Sequence, residues 1–152
     1  MRVFRLSRRK YELMLSGKGA ALSGNRWNSR GVEIIYTSES RALAMAEVMV
    51  HVTLATLPSD FIMLEIDVPD SFLIKKINVK QLPENWNSFP HQQKTQNFGD
   101  VFIRENKDLV LQVPSAVVQG DFNYLLNPFH KNFKYIKVVS SNDFPVDTRI
   151  FK

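Results

Sequence analysis

A single carboxylate interrupts the most apolar stretch of the sequence. Within residues 42–54, only Glu47, His51 and Thr53 are not apolar. Good helix formers fill residues 41–57 and a proline follows them, so the pattern predicts one long helix. A helix that is apolar on all sides is buried on all sides. The pattern therefore places Glu47 inside the protein.

A buried carboxylate in that position favours a functional role. Burying an ionised carboxylate costs on the order of several kcal/mol unless it is paired or hydrogen-bonded. His51 lies four residues after Glu47, so the two side chains would share one face of the predicted helix. Glu47 could be a catalytic carboxylate. It could instead have a structural role, either in a Glu–His hydrogen bond in the core or on a helix face that opens to water. A metal site is the remaining interpretation. The metal site is the weakest, because the chain has three histidines and no H-E-x-x-H motif.

A second group of chemically useful residues lies in the loop predicted for residues 17–31, which contain four glycines. Arg26 offers a planar fork that matches phosphate or carboxylate, and Trp27 offers a face for stacking or packing. The alternative is a basic surface loop in which Trp27 fills the core. The dinucleotide-binding fingerprint and the P-loop both fail, because Leu22 replaces a glycine and Asn25-Arg26 replaces Lys-Ser/Thr.

A third group follows the strand predicted for residues 108–113. Pro114 cannot continue a central strand, so Ser115 lies where that strand ends, a common location for functional side chains. No G-x-S-x-G motif surrounds Ser115, which leaves a serine nucleophile with a His–Asp relay poorly supported. A turn or capping residue is the alternative interpretation.

In this order and spacing, the three groups resemble the RES-domain family, which is named for its Arg, Glu and Ser. The matching segments are Gly17–Ala20, Asn25–Asn28 with Gly31, Ile35–Ser40, Ala42–Glu47, Val113–Val118 and Asn123–Pro128. The resemblance runs along nearly the whole chain. The sequence departs from the family pattern twice. Gly24-Asn25 stands where the family often has Gly-Gly, and Gly99-Asp100-Val101-Phe102 stands where it often has Gly-Asp-x-Trp.

The resemblance implies an ADP-ribosyltransferase-like enzyme that acts on NAD as substrate and needs no metal. It also implies the toxin of a bacterial type II toxin–antitoxin pair, whose partner is an Xre-like antitoxin. Members of the family deplete NAD by hydrolysis or phosphorolysis, or transfer ADP-ribose to a protein. The sequence does not choose among these reactions, and it leaves self-association open.

Carried onto this sequence, the resemblance implies that Arg26, Glu47 and Ser115 are catalytic. Arg26, Tyr36, His51 and Asn123 would bind NAD. We expect Arg26 to hold the diphosphate or the adjoining ribose, and Tyr36 to stack on or hydrogen-bond the nicotinamide ribose. Glu47 would accept a hydrogen bond from a ribose hydroxyl. It would also stabilise the positive charge that develops on the ribose as nicotinamide leaves, as glycosidase carboxylates do. Ser115 and Asn123 would orient the substrate or Glu47.

Composition and charge narrow the class of protein. The chain has no cysteine, which excludes disulfides, Cys-ligated zinc and thiol catalysis. We expect no signal peptide and no membrane span, hence a cytoplasmic protein. Residues 1–30 hold eight basic residues and one acidic residue, a net +7, which suggests an anionic partner or simply a solvated basic face. A nuclease or nucleic-acid-binding toxin is the rival hypothesis, but no RRM or helix-turn-helix pattern supports it. A non-catalytic module that binds NAD is a third hypothesis.

The elements that must position these residues form an α+β pattern. We expect strands over residues 2–6 (at a sheet edge), 32–37, 61–68, 72–79, 108–113 and 133–139. A helical turn over 10–16, the helix over 41–57 after Ser38 or Ser40, and a helix within 91–106 complete the pattern. This mixture predicts one domain over residues 1–152, with a bent or split mixed sheet and a few helices.

Overall fold

A computed structural model describes residues 1–12 and 14–152, and these residues form one mixed sheet with three α-helices. The strands are β1 (Arg2–Arg8), β2 (Ile35–Ser38), β3 (Phe61–Asp67), β4 (Ile74–Lys76), β5 (Val110–Pro114), β6 (Phe122–Leu126) and β7 (Lys137–Asp143). The helices are α1 (Lys18–Ser23), α2 (Arg41–Met49) and α3 (Gln93–Glu105). The predicted α+β class is confirmed.

The sheet is nearly divided at its middle. Its strand order is β4-β5-β6-β2-β1-β3-β7, with β4 and β5 parallel and the other neighbours antiparallel. β1 pairs with β3 along its whole length, but it meets β2 in register only at Phe4 and Ser38. Two halves of the sheet are therefore joined by one short contact, which agrees with the predicted bent or split mixed sheet.

Apolar residues separate into clusters according to the strand alternation. Successive side chains of a strand point to opposite faces, so each strand can supply two cores. One continuous cluster includes Val3, Leu64 and Leu126. The other side chains form two separate clusters, one around Phe102 of α3 and one around Phe4 beneath α2. This separation leaves room for a cleft between α2 and the part of the molecule that α3 covers.

The predicted helix over residues 41–57 is wrong in its length and its burial. α2 ends at Met49, and a short 3-10 helix over Leu54–Thr56 follows. Only Leu43 and Ala44 of α2 are buried, because the helix packs on β1 with one face and leaves the rest half-buried or exposed. Its apolar composition reflects a helix beside a cleft.

Other element predictions need smaller corrections. The strand predicted at a sheet edge is β1, which lies in the middle of the sheet. The loop predicted over 17–31 contains α1, the late strand begins at Lys137 instead of residue 133, and β6 was not predicted. A 3-10 helix at Arg9–Tyr11 replaces the helical turn expected over 10–16, and residue 13 of that range lies outside the described residues.

Acidic residues from later strands neutralise much of the basic N-terminal region. Arg2 lies within ion-pair distance of Glu65 and Asp67, and Arg8 and Arg9 pair with Asp60 and Asp143 respectively. Exposed pairs of this kind contribute little to stability, but they cancel charge locally. The excess of positive charge along the sequence is thus smaller on the folded surface. No helix in the described part of the chain is long and apolar enough to cross a membrane.

Candidate functional site

A cleft of about 740 Å³ opens where the two halves of the sheet meet. This volume lies within the usual range for small-molecule sites, roughly 300–1,000 Å³. β1 and β2 form its base at their short contact, α2 forms one wall, and the loop after α1 forms the other. The turn after β5, the start of β6 and residues 89–91 complete the lining. The cleft therefore collects side chains from segments far apart in sequence.

Glu47 projects into this cleft from α2. The helix begins at Ser40, whose hydroxyl accepts a hydrogen bond from the Leu43 amide at 3.1 Å and caps the first turn. Glu47 lies two turns along on the half-buried side and lines the cleft. The carboxylate is thus held by a rigid helix at a partly open surface, and not inside a core as its sequence context predicts.

Two donors hold one oxygen of that carboxylate. The Ser115 hydroxyl donates to Glu47 Oε1 at 2.7 Å, and Asn123 Nδ2 donates to the same oxygen at 2.6 Å. Among the described residues, no side chain or amide makes a hydrogen bond to Glu47 Oε2. One carboxylate oxygen is therefore fixed by the protein, and the other is free to accept a hydrogen bond from a ligand.

Ser115 can only donate to Glu47, because its acceptor sites are occupied. The residue is buried just after β5, and its Oγ accepts the amides of Val117 at 3.1 Å and Val118 at 2.9 Å. A hydroxyl has one proton and two lone pairs, so these two amides leave the proton for Glu47. The turn after Pro114 thus makes Ser115 both a turn residue and an orienting donor.

Ser38 completes the polar network. In the sequence it stands before the predicted helix and within the matching segment Ile35–Ser40, with no role of its own. Ser38 of β2 stands directly opposite Asn123 of β6 in the sheet register. Its hydroxyl donates to Asn123 Oδ1 at 2.7 Å, and both residues are buried. We call Glu47, Ser115, Asn123 and Ser38 the cleft floor. The pairing of β2 with β6, which the sequence did not reveal, brings Ser38 next to Asn123.

Tyr36 lines the cleft, but its hydroxyl is already engaged. The hydroxyl donates to Asn28 Oδ1 at 2.6 Å and accepts the Trp27 amide at 3.0 Å. Burial raises the pKa of Tyr36 above its usual range, so the hydroxyl stays neutral. Asn28 in turn donates to the carbonyls of Ala20 and Val32. The hydroxyl therefore fixes the loop around Arg26 and is not available to a ligand.

The loop that carries Arg26 is clamped by α3. A Cβ on Gly99 would lie 1.6 Å from the Trp27 carbonyl oxygen, so only glycine permits this close approach. The next residue, Asp100, accepts hydrogen bonds from the amide and the hydroxyl of Ser29. Trp27 itself is buried, which confirms that it fills the core. The Gly99-Asp100 pair, which the sequence analysis noted only because Phe102 replaces the tryptophan that often follows it in the family, positions this loop.

Arg26 makes contacts that the sequence did not predict. Its Nη1 donates to the carbonyls of Trp86 at 2.8 Å and Ser88 at 2.9 Å. Burial lowers the pKa of Arg26 below its usual range, and the charge of Glu47 offsets only part of that effect. Among the described residues, nothing hydrogen-bonds to its Nε or Nη2. Arg26 therefore braces the segment over residues 83–91 with one nitrogen and keeps two others for a ligand.

His51 lies at the edge of the cleft and away from the cleft floor. Since α2 ends at Met49, His51 is in an exposed turn and makes no hydrogen bond to Glu47. Of the interpretations left open for Glu47, the Glu–His hydrogen bond in the core is therefore wrong. Its ring centroid lies 6.4 Å from that of Phe89, which lies 5.3 Å from His91 in an edge-on arrangement. We call His51, Phe89 and His91 the aromatic rim.

Arg5, Phe89 and His91 also line the cleft, and the sequence analysis did not propose a role for them. Arg5 lies between two apolar residues of β1, and Nη1 donates to the Tyr36 carbonyl at a long 3.4 Å. Burial lowers its pKa. An arginine between apolar residues of a strand was the available signal. Burial and the charges of Arg26 and His51 lower the pKa of His91, and its buried Nδ1 has no partner among the described residues. No cluster of three potential metal ligands exists in the described part of the chain.

Comparisons with known proteins agree with this architecture. The family model of the RES domain matches residues 2–147, and the chain therefore belongs to the RES-domain family. It is 39% identical over 154 residues to "Toxin Res" of Photorhabdus laumondii, with 100% of this chain and 98% of the relative covered. It is 36% identical over 140 residues to the "Prs ADP-ribosylating toxin" of a Sphingobium species, with 91% and 87% covered.

A solved structure shares the fold at low sequence identity. The neighbour comes from the Mycobacterium tuberculosis MbcT–MbcA toxin–antitoxin complex. The TM-score is 0.78 at 19% identity, and the match covers 99% of this chain and 86% of that chain. A distant sequence thus adopts the same overall fold.

Proposed function

We propose that this chain is the toxin of a toxin–antitoxin pair, and that it binds NAD in the cleft and cleaves the nicotinamide–ribose bond. The observation that carries the proposal is the Glu47 carboxylate, with Oε1 held by two donors and Oε2 free at the base of a ligand-sized cleft. The names of the relatives support the toxin role. The name of the Sphingobium relative also indicates ADP-ribosylation, a reaction that starts from the same bond.

Glu47 is suited to stabilise a developing positive charge. In the proposed reaction, Oε2 accepts a hydrogen bond from a ribose hydroxyl next to the anomeric carbon. The C–N bond breaks, its electron pair leaves with nicotinamide, and the ribose becomes oxocarbenium-like. Glu47 stabilises that cation electrostatically, as carboxylates do in glycosidases. A nucleophile then bonds to the anomeric carbon and loses its proton.

Two arginines are placed to hold the diphosphate. Arg26 keeps Nε and Nη2 free beside the cleft, and Arg5 is half-buried at its base with one long hydrogen bond. Guanidinium groups that lack full protein partners favour an anionic oxygen, because a charge-assisted hydrogen bond offsets their desolvation. The ring of Tyr36 would then pack against the nicotinamide ribose, as its engaged hydroxyl leaves only stacking available.

The partner of the proposed toxin is a second protein, an Xre-like antitoxin. The fold neighbour was solved together with its antitoxin, which supports an antitoxin for this chain as well. NAD and a DNA-binding antitoxin are both found in the cytoplasm, which we propose as the site of action. We propose no metal, because each step uses only side chains of the cleft floor and its arginines.

Incubation of the purified full-length chain with NAD tests the proposal. We expect nicotinamide release, and release that depends on phosphate would assign phosphorolysis instead of hydrolysis. Label from NAD that appears on an added protein extract would assign ADP-ribosyl transfer, which the Sphingobium relative favours. No release under any of the three conditions would refute the catalytic function and favour a module that only binds NAD.

The variant Glu47→Gln tests the role of the carboxylate. It is nearly isosteric, and loss of one well-placed stabiliser costs roughly 10²–10³ in rate, so we expect at least that loss in kcat. Glu12→Gln is the matched control, because Glu12 accepts a hydrogen bond from Ser141 away from the cleft. Full NAD turnover in a folded Glu47→Gln protein would exclude Glu47 as the charge-stabilising group.

A further inference from the structure

We infer that Ser38 is a positioning residue for the Glu47 carboxylate, acting through Asn123. This inference rests on the proposed function, since it adds a residue to the same site. Ser38 does not touch Glu47. Its Oγ lies 2.7 Å from Asn123 Oδ1, and Asn123 Nδ2 lies 2.6 Å from Glu47 Oε1. Ser38 and Asn123 are 5% and 7% exposed, so little of either side chain can reach water.

The direction of this hydrogen-bonded chain is fixed by its charged end. An ionised carboxylate only accepts hydrogen bonds, so the NH₂ group of Asn123 must face Glu47. The carbonyl oxygen of the same amide must then face Ser38, and the Ser38 hydroxyl must donate. Each group has one orientation that satisfies the next. The donor that Asn123 needs at its far end is therefore Ser38.

Removing the Ser38 hydroxyl would leave a buried amide oxygen without a donor. Such an oxygen costs more than the hydrogen bond it loses, because it cannot exchange its partner for water. The Asn123 side chain relieves that cost by turning towards another donor, and Nδ2 then moves away from Glu47. Ser115 stays in place, since two backbone amides hold it. Glu47 keeps one of its two donors and gains freedom to rotate.

The strand pairing explains why Ser38 can play this part. Ser38 is the last residue of β2, opposite Asn123 in β6, and it lies at the one registered contact between β1 and β2. The side chains of directly opposed residues lie within hydrogen-bond reach across a sheet. Ser38 thus ties Asn123 to the junction where the cleft opens, and the carboxylate of α2 is held against the sheet.

Kinetics of Ser38→Ala provide the main test. We expect kcat for nicotinamide release to fall about tenfold, the rate equivalent of one neutral hydrogen bond, with KM for NAD little changed. Ser38→Thr keeps the hydroxyl and should retain most of the activity. Ser141→Ala is the matched control, because the Ser141 hydroxyl also donates to a glutamate, Glu12, but outside the cleft. Its kcat should equal that of the original chain.

Two further measurements separate positioning from a purely structural role. In an Asn123→Ala background, Ser38→Ala should cause no additional loss of kcat, because the chain from Ser38 to Glu47 is already broken. The side-chain amide signals of Asn123 in a ¹H–¹⁵N spectrum should shift in Ser38→Ala and not in Ser141→Ala. If Ser38→Ala does not fold, Ser38→Cys keeps the shape of the side chain, slightly enlarged, with a weaker donor. Its kcat should fall between those of Ser38→Thr and Asn123→Ala.

Several outcomes would overturn the inference. They are an unchanged kcat in folded Ser38→Ala, losses that add fully in the Asn123→Ala background, and Asn123 amide signals that stay in place. Failure of the proposed function is recognisable separately. If the original chain releases no nicotinamide, the amide signals still show whether Ser38 holds Asn123.

Discussion

The cleft floor and the aromatic rim line the same cleft but are built in opposite ways. The floor comes from strand ends and one helix, and its three buried side chains form a hydrogen-bond network that holds Oε1 of the half-buried Glu47. The rim comes from a turn and a loop, and Phe89 in it is 74% exposed. Chemistry requires fixed geometry, whereas recognition tolerates adaptable contacts. We therefore expect floor variants to change kcat and rim variants to change KM.

Arg26 connects the two regions. Its charge interacts with Glu47, and its Nη1 donates to two carbonyls of the segment over residues 83–91, which presents the rim. A change at Arg26 should therefore affect both regions, while changes within either region should leave the other intact. The following predictions test this contrast, from the largest expected effect to the smallest.

Ser115→Ala should give the largest effect after Glu47→Gln. It removes a donor from Glu47 and leaves the amides of Val117 and Val118 without their acceptor. Loss of one oriented donor of this kind costs about 10² in kcat. KM for NAD should change little, because Ser115 is buried behind Glu47. A large rise in KM with normal kcat would assign Ser115 to NAD binding. It would also contradict the expected difference between the cleft floor and the aromatic rim.

Arg26→Ala should weaken NAD binding and loosen the rim together. We expect Kd for NAD to rise about tenfold or more, as a charge-assisted hydrogen bond to phosphate is lost. Amide hydrogen exchange over residues 84–90 should accelerate, since two loop carbonyls lose their donor. Arg26→Lys keeps the charge but not the fork, and should restore affinity only in part. Normal affinity by calorimetry in Arg26→Ala would refute the phosphate role.

Phe89→Leu should raise KM for NAD a few-fold and leave kcat unchanged. The exposed ring offers a face for a planar base, and stacking on one aromatic contributes about 1 kcal/mol or somewhat more. Phe129→Leu is the matched control, because Phe129 is also an exposed phenylalanine and does not line the cleft. A fall in kcat with constant KM would assign Phe89 to the chemistry instead.

His91 should make stability depend weakly on pH. Its pKa lies below the ordinary 6.5 in the folded state, so the unfolded chain binds more protons between those two values. Stability should therefore fall as pH drops from 6.5 through the lowered pKa. His91→Gln should lose less stability over the same interval, measured by urea unfolding at pH 7.5 and 5.5. Parallel losses in both proteins would exclude His91 as the source.

Local pattern was sufficient for part of this fold. Alternation predicted β3, and Pro114 predicted the end of β5 because it cannot continue a central strand. The helix over Gln93–Glu105 was expected within residues 91–106. The pattern failed for α2, since an apolar helix beside a cleft and a fully buried helix have the same composition. It also missed β6, which forms because β2 and β5 are available on both sides.

The sequence predicted most residues of the candidate site, but it did not predict which of their atoms are in contact. Glu47, Ser115 and Asn123 lie together because β5, β6 and α2 converge at one end of the cleft, and pairing between distant strands leaves no local trace. Ser38 and Arg5 escaped notice for the same reason. His51 was paired with Glu47 on the assumption of a continuing helix, which ends two residues too early for that contact.

The sequence by itself determined the class of fold, the family and the residues with chemical potential, because these depend on residue types and on spacing along the chain. Only the tertiary structure decided which atoms meet. It left Oε2 of Glu47 free, engaged the hydroxyl of Tyr36 in the loop, and divided the guanidinium of Arg26 between the rim and the cleft. These contacts depend on the direction of side chains and on distances between segments that are up to 85 residues apart in the sequence. Folding sets them when hydrogen-bond donors and acceptors that leave water must find one another.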